Sequence, residues 1–179
     1  HFLNTQSKTV NVIVPNQFPD FLRWMPGAKD VIIYDKYKEF ADKLIQEADV
    51  ICCLDFNVLS RIDTMEEAVK NSPARKIMID HHLYPGDFAG ITISHPEISS
   101  SSELVFRLIC RLGNFGDITR EGAECIYTGM MTDAVTLKLS ASPNVTSLNF
   151  GSSNAPILLR CSVHISSISI WTDLFFGST

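Results

Sequence analysis

The chain has 179 residues, 45% hydrophobic and 20% charged, with a formal net charge of −5 at pH 7, so it can hold one domain of normal size, or one domain plus an incomplete second. That charge argues against binding nucleic acid by bulk electrostatics, which rests on phosphate neutralisation, and no apolar run reaches the roughly 18 residues needed to cross a membrane. The five cysteines (Cys52, Cys53, Cys110, Cys125 and Cys161) are an odd number without framework spacing, a pattern suited to buried thiols in a reducing cytoplasm.

In chain order, Val10-Asn11-Val12-Ile13-Val14 reads as a strand and Val31-Ile32-Ile33-Tyr34 as another. From Lys36 to Glu47, Phe40, Ala41, Leu44 and Ile45, followed by Ala48, recur at helical spacing, which predicts a helix packing one face on a sheet. The continuous apolar run Val50 to Leu54 is a third strand, ended by Asp55. A short helix near Met65 to Val69 is closed off by Pro73, and a further strand, Lys76 to Ile79, ends at Asp80. About 25 residues separate the two acids, enough for one strand-helix-strand crossover.

Ser99-Ser100-Ser101-Ser102-Glu103 is a run of helix-capping residues. Ser100 and Glu103 have capping-box spacing for a helix through Leu112, with Leu104, Val105, Leu108, Ile109 and Leu112 inward and Gly113 as its stop. Thr119 caps a second helix, with Glu121 in its first turn and Ala123, Ile126, Tyr127 and Met130 on the buried side. This order predicts an α/β fold, a three-layer, doubly wound domain with a mainly parallel sheet, over residues 1–134. Residues 135–179 differ: their charged residues are Lys138, Arg160 and Asp173, and ten serines crowd positions 140–179. They read as an atypical serine-rich tail foreign to the domain before it, in which Val163, Ile165, Ile168 and Ile170 permit short strands.

In open parallel sheets ligands bind outside the carboxyl ends of strands, where Asp55 and Asp80-His81-His82 are expected. Carboxylates and neutral imidazoles grouped there suit a divalent ion such as Mn2+ or Mg2+. Two such ions about 3.5–4 Å apart can activate water and clamp a phosphoryl group for in-line attack. Asp55, His81 and Asp133 are the candidate metal ligands. Asp133 follows Thr128-Gly129-Met130-Met131-Thr132, where a small glycine lets backbone approach the site. His82 and Asp80 are the candidate catalytic residues, His82 donating to a phosphate oxygen and Asp80 orienting an imidazole from behind. Ser100 and Ser101 are weaker candidates for substrate binding. Each has a plainer reading when taken singly: an acid after a strand is usually a cap or turn residue, adjacent histidines are often solvated, and a serine run is a cap. Together, at the ends of consecutive strands, they point to a site.

These residues carry a resemblance. Asp80-His81-His82 after Ile-Met-Ile, with Cys53-Leu54-Asp55-Phe56-Asn57 upstream and Thr128 to Asp133 downstream, resembles the DHH superfamily of phosphoesterases. Pro96-Glu97-Ile98-Ser99-Ser100-Ser101-Ser102-Glu103-Leu104 is similar to a segment of its bifunctional oligoribonuclease and 3′-phosphoadenosine 5′-phosphate (pAp) phosphatase type, the NrnA-like group. The resemblance covers residues 1 to about 134. It implies two Mn2+ ions per intact site, with Mg2+ as the substitute, hydrolysis of short oligoribonucleotides or small nucleotide phosphates in the cytoplasm, and a homodimer as one assembly. Carried over by position, Asp55 matches the carboxylate that bridges both metals, His81 an imidazole ligand of one metal, and Asp133 that metal's remaining carboxylate. Asp80 and His82 match supporting and substrate-polarising roles.

Two departures stand beside the likeness. No His-x-x-Pro-Asp-x-Asp motif precedes Val10, and residues 135–179 do not match the family's glycine-rich second domain. The chain therefore reads as a partial domain truncated at both ends, with impaired turnover. The alternatives are a pyrophosphatase or single-strand exonuclease of the same superfamily, or a non-catalytic nucleotide- or metal-binding remnant.

Overall fold

The computed structural model describes residues 1–140 and 157–162. The element order is α1 (Phe2–Thr5), β1 (Thr9–Val14), β2 (Ile32–Ile33), α2 (Lys38–Gln46), β3 (Val50–Leu54), α3 (Glu66–Asn71), β4 (Arg75–Asp80), β5 (Ile91–Ser94), α4 (Ser101–Arg111), α5 (Arg120–Ser140) and β6 (Ile157–Ser162). Six strands make one sheet in the order β2-β1-β6-β3-β4-β5. The pairs β1–β2, β3–β4 and β4–β5 are parallel, whereas β6 runs antiparallel to both of its neighbours, β1 and β3. The sheet is thus mainly parallel, and its antiparallel member comes from the stretch read in sequence as a serine-rich tail. The alternating residues from Val163 to Ile170 lie outside the described residues.

Strands covered on both faces read as continuous apolar runs because neither face meets water. On one face Ile13, Ile51, Cys53 and Met78 meet Ala41 and Ile45 of α2, Val69 of α3, and Ile62 and Met65 of the intervening turn. Tyr34 is buried there, and its hydroxyl donates to Asp42 Oδ1 at 2.5 Å, tying the end of β2 to α2. Ser72 Oγ donates to Ile45 O at 2.8 Å and accepts from Ala74 N at 3.2 Å, joining the end of α2 to the start of β4. On the other face Val12, Cys52, Leu54, Ile77 and Ile79 look toward α1, α4 and α5 across an apolar cavity of about 1220 Å3. Helices therefore flank both faces, giving the three layers expected of an α/β domain.

Two helix faces differ from the periodicity. The inward stripe of α2 is carried by Ala41 and Ile45, while Phe40 is 56% exposed. In α5, Tyr127 is 65% exposed and Ala123 is also outside, so Cys125, Ile126, Gly129 and Asp133 form its inner side. The rotation of α5 follows from its close approach to α4, which only a residue without a side chain permits at Gly129.

This packing fixes where truncation should matter. Met78 is fully buried in β4, so Met78→Ala is expected to lower the unfolding free energy in urea by about 2–5 kcal/mol. The exposed Phe40→Ala should lower it by less than about 1 kcal/mol, and equal losses at the two positions would contradict the assigned layers.

Candidate metal centre

The site begins with the register of β3 and β4. Leu54 pairs with Ile79, and Asp55 N donates to Ile79 O at 3.1 Å, so the chain leaves both strands side by side. Asp55 has φ +66, a left-handed conformation that aspartate tolerates better than most residues with a side chain. One strand over, Asp80 is still within β4 and its side chain is fully buried.

A buried carboxylate needs partners. Asp80 finds them two residues on: Oδ2 accepts His82 N at 2.8 Å and Oδ1 accepts His82 Nδ1–H at 2.7 Å. The second bond fixes the tautomer with the proton on Nδ1, so Nε2 is the atom left for chemistry. Asp80 thus stands behind His82 and orients it.

His81 is held from the opposite direction. Its Nδ1–H donates to Ile98 O at 3.1 Å, and because a carbonyl only accepts, Nε2 of the neutral ring carries a bare lone pair. That Nε2 is buried, has no hydrogen-bond partner among the described residues, and lies 3.6 Å from Asp55 Oδ1. A carboxylate oxygen and an imidazole lone pair facing each other at this separation, too long for a hydrogen bond, call for a cation between them. Asp55, His81 and His82 each offer a ligand atom, all within 4.8 Å of one another. This nitrogen and oxygen donor set fits a borderline or hard divalent ion.

The carboxylates register the uncompensated charge. Burial pushes the Asp55 carboxyl above its usual range, against the hydrogen bond from Ser101 and the nearby imidazoles. Asp133, 7% exposed, is pushed up to about 6, first by burial and then by the charge of Asp55. Perturbed acids of this kind gather at functional sites.

Of the residues singled out in sequence, Asp55, His81 and His82 meet in one cluster, Asp80 supports His82, and Asp133 stands within its electrostatic reach. Ser100 Oγ accepts Glu103 N at 3.0 Å, capping α4, and Ser101 Oγ donates to Asp55 Oδ1 at 2.8 Å. His95 pairs with Glu97 at 2.9 Å on an exposed loop. Sequence reasoning did not assign Asn57, whose Nδ2 donates to Leu83 O at 2.6 Å and Tyr84 O at 3.3 Å while its backbone carbonyl accepts Gly86 N at 2.7 Å. It clamps the loop that follows the histidines, and its nearness to Asp55 in the motif was the available signal.

A family model described as the DHH family, N-terminal domain, matches residues 1–130. Among solved structures, an exopolyphosphatase-related protein from Bacteroides fragilis is similar at a TM-score of 0.75 and 61% sequence identity, over 97% of this chain and 45% of that one. The chain thus spans less than half the length of that relative. No curated protein matches.

The sign of the Asp133 shift sets a pH dependence. Its folded value of about 6 lies above the ordinary 3.8, so the fold holds its proton more tightly than the unfolded chain, and this carboxyl lowers stability as pH rises from about 4 through 6. Without metal, Asp133→Asn is expected to melt higher than the parent at pH 7.5, with the gap shrinking to about a third of that size at pH 4.5. A difference in melting midpoint that is the same at both pH values would contradict the buried, charge-crowded carboxyl.

Proposed function

The chain belongs to the DHH family, and on that premise we propose that it carries the metal-binding part of a phosphoesterase site acting on short oligoribonucleotides or pAp. Residues 1–134 form the site-bearing portion, working with Mn2+ in the reducing cytoplasm. One observation carries the reading: the orphaned, buried Nε2 of His81 opposite the Asp55 carboxylate. Asp55, His81 and Asp133 are the proposed ligands that would hold the metal, Asp55 being the carboxylate that the family likeness would share between ions in a complete site. A divalent ion there would supply Lewis acidity toward a phosphoryl oxygen and lower the pKa of a water molecule.

The chain's own residues do the rest. His82 presents Nε2 to the site while Asp80 holds its Nδ1 proton. A proton carried on Nε2 would be donated to a phosphate oxygen as negative charge builds there, with the Asp80 carboxylate holding the ring in place from behind. Short substrates suit the net charge of −5, because a long polyanion would need a basic track. The 61% identical relative is named exopolyphosphatase-related, which favours a second reading in which the scissile bond is a phosphoanhydride of a short polyphosphate.

The readings part on substrate. With Mn2+ present, release of mononucleotide from a dinucleotide or of phosphate from pAp, lost by at least about 100-fold in Asp55→Asn, is the expected result. Preferential release from polyphosphate or pyrophosphate would move the assignment to the second reading. Calorimetry showing no Mn2+ uptake by the chain would overturn both.

A further inference from the structure

Ser101 and Ser102 are consecutive in the first turn of α4, and each meets a different part of the metal centre's support. Ser101 is 5% exposed, and its Oγ donates to Asp55 Oδ1, the same oxygen that faces His81 Nε2. A hydroxyl there removes one lone pair from the carboxylate's choices and fixes the rotation of its plane. Ser102 points to the neighbouring helix instead. A Cβ built on Gly129 would overlap Ser102 Oγ and lie 2.9 Å from Ser102 Cβ. The hydroxyl can swing aside by rotation, but the Cβ belongs to the helix and moves only if α4 and α5 separate.

Asp133 is four residues beyond Gly129 on the same helix, one turn along the same face. The contact at Ser102 therefore sets how far Asp133 stands from Asp55. We propose that the Ser101-Ser102 pair is a positioning device that aligns ligands from two separate elements: Ser101 by a hydrogen bond to Asp55, Ser102 by the depth to which Gly129 can seat. The device uses the helix turn that Ser100 caps by accepting Glu103 N at 3.0 Å, so the cap also places the next two side chains.

The inference rests on the metal-site reading, and the experiment separates the two. Mn2+ affinity is measured by calorimetry on the folded chain, alongside the melting midpoint without metal. Ser101→Ala is expected to weaken Mn2+ binding about 10-fold with an almost unchanged metal-free midpoint, and Ser101→Thr, which keeps the hydroxyl, to restore most of it. Gly129→Ala should weaken Mn2+ binding by a similar factor, and adding Ser102→Gly to it should recover the affinity by opening the room the new methyl needs. Parental affinity in Ser101→Ala, or failure of Ser102→Gly to rescue a folded Gly129→Ala chain, overturns the positioning role. If Gly129→Ala does not fold, the Ser101 pair of variants decides. A parent chain that binds no Mn2+ refutes the metal centre itself, and this inference with it.

Discussion

Parallel strands leave a sheet on the same edge, so whatever residues follow them are forced into company. Here the pairing of Leu54 with Ile79 sets that company. A slip of one residue would send every side chain of β3 to the opposite face, burying the wrong set of apolar residues against α2 and α3. The core that holds Ile51, Cys53 and Met78 inside is therefore the same constraint that brings Asp55 beside Asp80 and His81. The register that packs the core thus also decides which strand ends meet at the site.

Charge burial gives the site its second organising rule. Asp80 is satisfied entirely by its own neighbour's ring and amide, a local solution that leaves it inert and leaves His82 with one defined free nitrogen. Asp55 and Asp133 have no comparable arrangement. Their carboxyls are held above the ordinary range mainly by burial, and the partner that would relieve Asp55 and His81 Nε2 together is a cation. A solvated turn would scatter these groups, whereas this fold gathers Asp55, Asp133 and the His81 lone pair with a single hydroxyl, that of Ser101, donating to Asp55 among the described residues.

The main lines of this arrangement were legible in the residues. β3 and β4 announce themselves as uninterrupted apolar runs because both faces are covered, and the acids at their ends stand where a parallel sheet places ligands. The start of α4 is legible because Ser100 and Glu103 form a local cap that needs no tertiary help. The inner face of α5 was legible at Ile126 but not at Ala123 and Tyr127, which satisfy helical spacing equally well yet lie outside; the choice among faces is made by the contact of Gly129 with Ser102, between separate helices. The tautomer of His81 was invisible for a similar reason: its partner is the backbone carbonyl of Ile98, a group that every residue possesses. The place of Ile157–Ser162 between β1 and β3 depends on an opening in the sheet, which serine-rich flanks do not advertise.

The left-handed backbone of Asp55 narrows what that position can ever become. Glycine would suit the conformation and remove the oxygens, and glutamate would keep a carboxylate but resist the backbone and place its head group farther out. Asparagine satisfies the backbone with half the oxygens and no charge. Two independent demands, one from the turn and one from the chemistry, thus intersect on a single amino acid. In terms of mutational drift, the position has an alphabet of one letter for as long as the site binds metal.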